Sequence, residues 1–250
     1  MWIYGHRGAP AAYPENTLSS FECALTQGAD ALETDVRVSR DGRVVVFHDA
    51  NASRIVGRPE SIESSDWQDI QRWDAGYSYL ADDGSRPFVG QGMHPPLLED
   101  VLRRFPEVRF NIDIKSGTER AIDATIETIR TLKAQDRVLL TSFVSSARGA
   151  LIRKSYEGPL GFGLRQVLAL RYLPSALLRA WIRPRDRIQI PILQSGIRFE
   201  HVGFIEKMKA LEIAVDFWTI NDPAVAKRLQ GLGADGVMTD NPKLLVDALR

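Results

Sequence analysis

Short runs of β-branched and apolar residues alternate along this chain with longer segments in which apolar positions follow a helical period. The short runs Trp2–Tyr4, Ala31–Val36, Arg109–Lys115, Val138–Thr141, Leu160–Gly163, Ile188–Ile190, Ala214–Thr219 and Gly236–Thr239 predict eight strands. Helical patterns follow at Leu18–Gln27, Leu97–Phe105, Glu119–Ala134, Ser146–Lys154, Phe199–Leu211, Ala224–Leu232 and Leu244–Leu249. A β-then-α unit repeated at this length predicts an α/β fold, a closed TIM (β/α)8 barrel rather than a sandwich. Gly28-Ala29-Asp30 before Thr34-Asp35 is echoed by Gly233-Ala234-Asp235 before Thr239-Asp240, each a helix C-cap glycine feeding a strand.

Two stretches break the alternation. Residues 50–96 are rich in Gly, Ser, Asp and Pro and carry Trp67, Trp73, Tyr77 and Tyr79, which predicts a small insertion over one barrel face, a lid or a plain surface excursion. No linker divides the chain, so residues 1–250 are expected to form one barrel domain with this insertion. Gln166–Arg187 places Leu168, Leu170, Leu177 and Trp181 around Arg171 and Arg179, and Pro174 divides it. With Arg165 it holds six arginines against Asp186 alone. It is too short and charged to span a bilayer. It reads either as a barrel helix, which the fold needs there, or as a basic amphipathic segment in peripheral contact with a membrane.

Composition narrows the partners. The 32 Lys+Arg and 32 Asp+Glu cancel, which excludes a nucleic-acid binder working through a bulk positive field; an anionic ligand must be held locally. The single cysteine, Cys23, lies among apolar neighbours and reads as an inert thiol in a reducing compartment. The first residues reach Gly5-His6-Arg7 too soon for a signal peptide, so a cytoplasmic location is expected.

Chemistry gathers on the polar halves of the strands. Glu33 and Asp35, two apart, share one strand face about 7 Å apart, which alone is commonly a half-solvated surface. Asn111, Asp113 and Lys115 likewise share a face, and in a closed barrel the outer face must be apolar, which leaves the polar sets inside near the mouth. Buried carboxylates repel one another without a cation, so Glu33, Asp35 and Asp113 are expected to hold a hard divalent ion, Mg²⁺ or Ca²⁺ rather than Zn²⁺. Val36–Val38 and Val44–His48 flank Asp41-Gly42 as a hairpin. A two-residue loop sets His48 opposite Asp35 and a four-residue loop opposite Glu33, both on the carboxylate face; a three-residue loop reverses this unless a bulge intervenes. At the end of the first strand, Gly5-His6-Arg7-Gly8 pairs a histidine with an arginine suited to an anion, with glycines that permit close backbone approach. His94 and His201 have no such setting and read as structural.

His6-Arg7-Gly8, Pro14-Glu15-Asn16-Thr17, Glu33-Thr34-Asp35-Val36, Asp41-Gly42, His48-Asp49, Asn111-Ile112-Asp113-Ile114-Lys115, Trp218-Thr219-Ile220-Asn221-Asp222 and Gly236-Val237-Met238-Thr239-Asp240, in this order, resemble the glycerophosphodiester phosphodiesterase family. The resemblance implies a TIM barrel with a metal on Glu33, Asp35 and Asp113, His6 and His48 as acid and base, and Arg7 and Lys115 on the phosphate. It implies metal-dependent hydrolysis of a small-molecule glycerophosphodiester to an alcohol and glycerol 3-phosphate, with attack by water or by the substrate's own 2-hydroxyl. Asp113 stands where the family more often has Glu, shortening that reach by one methylene. The lone Cys23 weighs against the related secreted phospholipase D toxins, which rely on disulfides. Asn16 or Thr17 caps the first helix, Asn241-Pro242 starts the last, and Trp218 either lines the site or packs in the wall. The alternatives are phospholipase D-like action on lysophospholipids, a non-catalytic headgroup-binding barrel, and an interaction protein using residues 50–96.

Overall fold

In the computed structural model, which describes residues 1–144 and 146–250, the strands are β1 (Trp2–His6), β2 (Ala31–Val38), β3 (Val44–Val46), β4 (Arg109–Ile114), β5 (Val138–Thr141), β6 (Arg187–Ile190), β7 (Leu193–Gln194), β8 (Ile197–Arg198), β9 (Ala214–Phe217) and β10 (Gly236–Thr239). The helices are α1 (Leu18–Thr26), α2 (Ser53–Val56), α3 (Trp67–Ile70), α4 (Leu98–Arg104), α5 (Glu119–Thr131), α6 (Ala147–Arg153), α7 (Leu164–Tyr172), α8 (Val202–Ala210), α9 (Pro223–Gly231) and α10 (Pro242–Leu249).

Seven strands pair in parallel in the order β5-β4-β2-β1-β10-β9-β6. The expected strand Leu160–Gly163 contracts to bridges from Leu160 to Leu140 and from Gly161 to Arg187, which join β5 to β6 and close the barrel. Pro159 offers no N–H and the glycines at 161 and 163 favour a break, so this seam stays short. The outer strand face is apolar, with Leu32, Val36, Phe110, Ile112 and Ile114 packed against α1, α4 and α5. A second core joins β6, β9 and β10 to α7, α8, α9 and α10. The alternate residues, Glu33, Asp35, Asn111 and Asp113, are buried inside. The echoed Gly-Ala-Asp segments do the same job twice: the Asp30 carboxylate accepts from the Ile3 N–H and that of Asp235 from the Val215 N–H, each at 2.8 Å.

The β2–β3 hairpin departs from both favourable registers. Val36 pairs with Val46 and Val38 with Val44 across Ser39–Arg43, the odd register that would turn His48 to the outer face. The cause lies in the loop: Ser39 Oγ donates to Asp41 at 2.5 Å and accepts from the Arg43 N–H at 2.9 Å, so Asp41-Gly42 sits inside a longer loop rather than forming a two-residue turn. His48 reaches the interior by a different route. β3 stops at Val46, Phe47 N–H donates to the Asp35 carbonyl at 2.9 Å, and the chain then leaves the ladder.

Residues 50–96 carry a small core of their own, in which Ala52, Ile55, Ile62, Ile70 and Trp73 pack on Val45 and Phe47, on the hairpin face opposite the one that Val44 and Val46 turn to the outer core. Gln166–Arg187 forms no continuous amphipathic helix, because Pro174 ends α7 and two 3₁₀ turns follow. Val167, Leu170 and Leu178 are buried in the second core, as the barrel-helix reading requires. Part of the positive surplus meets partners within the chain: Arg187 forks the buried Asp216 at 2.7 and 2.6 Å, Arg183 donates to the Tyr156 and Gly158 carbonyls, and Arg185 meets Asp136 at the surface. No helix among the described residues is long and apolar enough to cross a membrane.

Candidate active site

The site is assembled by strand register. His6 pairs with Glu33 and Glu33 with Asn111, while Asp35 pairs with Asp113 and Asp113 with Thr141, giving two rows across the carboxyl ends of β1, β2, β4 and β5. This is where barrel active sites form. His6, Arg7, Glu33, Asp35, His48, Asp113, Lys115 and Trp218, all expected from the sequence, line one cavity of about 180 Å³. The glycines around His6 serve packing rather than a ligand: a Cβ on Gly8 would lie 2.3 Å from Ser20 Oγ, and one on Gly5 would lie 2.7 Å from the Ala24 Cβ, both in α1.

Charge on the floor is poorly balanced. Burial, and then Asp35, push the Glu33 carboxyl up to about 7, and burial pushes Asp113 up to about 6. Asp35 is held low: Lys115 and Arg7 overcome the cost of its burial. Lys115 Nζ donates to Asp113 at 2.6 Å and lies 2.8 Å from Asp35, and Arg7 Nε lies 3.2 Å from Asp35. Asn16, whose neighbour Thr17 caps α1, uses its own amide otherwise, donating to Asp35 at 3.1 Å and accepting from Thr34.

A divalent cation suits this chemistry. The donors are all oxygen, and Asp113 Oδ1 is buried with no hydrogen-bond partner. The side chains are not, however, already gathered around one point: among the described residues no three His, Cys, Asp or Glu groups stand as a ready metal cluster. Lys115, between Asp35 and Asp113, occupies the centre of charge instead.

Each histidine is backed by an aspartate. His6 Nδ1 lies 2.7 Å from Asp240, which Asn221 Nδ2 holds at 2.7 Å, and His6 Nε2 lies 3.8 Å from Glu33. Burial opposes charging of this ring, but Asp240 and Glu33 outweigh it and raise its pKa. His48 Nδ1 lies 2.6 Å from Asp49, and burial lowers its pKa. The Asp49 charge is shared with Arg54, which holds the Asp49 carboxyl at about 2 against its desolvation. These partners were missed. Asp49 was legible as the residue after His48, whereas Asp240 is 234 positions from His6 and only the closed barrel joins them.

The facing half of the cavity is largely apolar. Phe143, Phe162, Leu164, Val167, Ile190, Pro191 and Trp218 form it, with Gln189 and Gln194 among them. Phe143 and Trp218 meet edge to face at 5.7 Å. Trp218 thus lines the cavity as well as packing. His94 rests on Trp67, and His201 caps α8 through the Gly203 N–H; neither lines this cavity.

Fold and cavity together define a TIM-barrel enzyme with its polar site at the carboxyl ends of the first strands. Residues 6–244 match the glycerophosphoryl diester phosphodiesterase family. The chain is 32% identical over 251 residues, 98% of its length and 89% of the relative's, to a probable glycerophosphodiester phosphodiesterase of Mycobacterium tuberculosis. It is 27% identical over 272 residues, 98% of its length and 84% of the relative's, to a lysophospholipase D of Rattus norvegicus. It also resembles the solved structure of an Oleispira antarctica phosphodiesterase in complex with its product sn-glycerol-3-phosphate, with a TM-score of 0.80, 26% identity and 100% and 96% of the two chains covered. The chain belongs to the glycerophosphoryl diester phosphodiesterase family.

Proposed function

We propose that this protein hydrolyses small glycerophosphodiesters to an alcohol and glycerol 3-phosphate by acid–base catalysis between His6 and His48. The observation that carries this reading is that both rings, each oriented by an aspartate, open onto one cavity floored by Glu33, Asp35 and Asp113. His48, the ring whose burial favours the neutral form, takes the proton of the attacking hydroxyl; His6, charged through Asp240, gives one to the departing alkoxide as the phosphorus–oxygen bond breaks. Each transfer is worth on the order of 10²–10⁴-fold. Arg7, still held by Glu15, and Lys115 exchange their contacts with Asp35 and Asp113 for the phosphoryl oxygens. A divalent cation, Mg²⁺ or Ca²⁺, held by Glu33, Asp35 and Asp113, would draw further charge from those oxygens. Glycerol phosphate release from glycerophosphocholine and glycerophosphoethanolamine, with and without EDTA, tests this for wild type and His6→Ala. Activity indifferent to both changes would sink the mechanism.

The apolar half of the cavity favours a second reading, the lysophospholipid chemistry named for the rat relative, with the acyl chain against Phe143, Phe162 and Leu164. Turnover of a lysophospholipid at a rate comparable to glycerophosphocholine would support it. Membrane contact through 166–187 fits less well. α7 begins at the cavity with Leu164, whereas the exposed Tyr172, Leu173, Leu177 and Trp181 follow its nine-residue descent toward the opposite end of the strands.

A further inference from the structure

Arg54 lies in α2, within the insertion, and half of its side chain is exposed. An exposed arginine usually contributes little through ion pairing. This one makes two forks at once. Nε and Nη2 donate to the Asp49 carboxylate at 2.6 and 3.0 Å, while Nη1 and Nη2 donate to the Glu15 carboxylate at 2.8 and 2.7 Å. Its two partners are mostly buried, and each holds a group of the cavity: Asp49 the His48 ring at 2.6 Å, Glu15 the Arg7 guanidinium at 3.0 Å. Asp49 and Glu15 come from different loops and share no hydrogen bond with each other. Arg54 is what joins them.

From this geometry we propose that Arg54 is a positioning residue: its two forks fix His48 and Arg7 relative to one another, so that the insertion sets the spacing between the acid–base ring and the phosphate-facing cation. The proposal rests on the roles given above to His48 and Arg7. A planar fork is required, because only a guanidinium presents three donor nitrogens in the arrangement that two carboxylates can take together. A lysine keeps the charge and loses the second fork.

The test combines kinetics with a spectroscopic signature. In Arg54→Gln, kcat for glycerophosphocholine is expected to fall about 10–100-fold, the usual effect of losing an outer-shell partner. Arg54→Lys should recover little of it, and millimolar guanidinium should restore part of the activity of Arg54→Ala. Asp49→Asn and Glu15→Gln should be non-additive: the double variant loses less than the product of the single losses, because either change releases the same clamp. In ¹⁵N-histidine-labelled protein the Nδ1–H resonance of His48, assigned with His48→Gln, should weaken or move in Glu15→Gln, although Glu15 does not touch the ring. Arg54→Gln activity within twofold of wild type, strictly independent single effects, or an unmoved His48 resonance overturns the proposal. If Arg54→Gln fails to fold, the Asp49 and Glu15 pair decides. If wild type itself is inactive on the phosphodiester, the catalytic reading fails while the histidine resonance still decides the clamp.

Discussion

At the scale of single residues the cavity divides into a charged half, whose groups hold one another, and an apolar half whose most open member is Phe143. Phe143 is 66% exposed, although it leans on Trp218. A large ring left open at a cavity wall is available to an apolar ligand. Phe143→Ala is therefore expected to raise KM for a lysophospholipid roughly tenfold, about 1.4 kcal/mol of lost burial, and to leave KM for glycerophosphocholine within about twofold. Steady-state kinetics on the two substrates checks this. Asp49 supplies a pH prediction. Its folded value near 2 lies below the ordinary 3.8, so it stabilises the fold above about pH 4, and that contribution disappears as pH falls through 2. Asp49→Asn should flatten the acid limb of the urea midpoint between pH 4 and pH 2. Polar alternation in 31–36 and 109–115 made Glu33, Asp35 and Asp113 legible, because a barrel leaves no other place for them. Asn16, by contrast, read as a cap, and its contact with Asp35 depends on a loop conformation that no period encodes.

At the scale of elements the molecule depends on a few buried ion pairs where periodicity gives out. Arg148 of α6 donates to Asp186 at 2.5 Å, to the Gly161 carbonyl at 2.9 Å and to the Trp181 carbonyl at 3.1 Å, and its guanidinium covers Phe162. Asp186 in turn accepts from the Leu160 N–H at 2.8 Å. The pair thus pins the closing seam to the 3₁₀ turns before β6. Removing one partner leaves a buried charge unpaired, so Arg148→Met or Asp186→Asn should cost on the order of 3–5 kcal/mol, read by urea unfolding. Most of the barrel's strands and helices followed from period and capping, Thr17 and Asn241 included, the strand expected at Leu160–Gly163 excepted. The hairpin register did not, since it turned on the hydroxyl of Ser39 rather than on the Asp41-Gly42 pair. The excess of arginine in 165–187 is a related case: charge counted along a chain says nothing of whether a buried aspartate, such as Asp216 for Arg187, awaits it.

At the scale of the whole molecule, zero net charge conceals an interior where burial, with Asp35 nearby, pushes the carboxyls of Glu33 and Asp113 up and so disfavours their charged forms. A divalent ion should therefore stabilise the fold as well as the reaction. Saturating Mg²⁺ or Ca²⁺ at about 100 times its Kd is expected to add about 2.7 kcal/mol, visible as a rise in melting temperature that EDTA reverses and Asp113→Asn abolishes. The barrel's closure carries a last consequence. The seam at Leu160 and Gly161 rests on three backbone hydrogen bonds, from Leu140 to Pro159, from Gly161 to Leu140 and from Arg187 to Leu160. Phe162, Leu164, Val167 and Ile190 hang from the elements on either side of it, whereas His6, Glu33, Asp35 and Asp113 stand on the long ladders of β1, β2 and β4. Breathing at the clasp would widen the apolar side of the mouth while His6 and the carboxylates keep their spacing, so that under the function proposed above one scaffold would be rigid toward phosphorus and permissive toward whatever phosphorus carries.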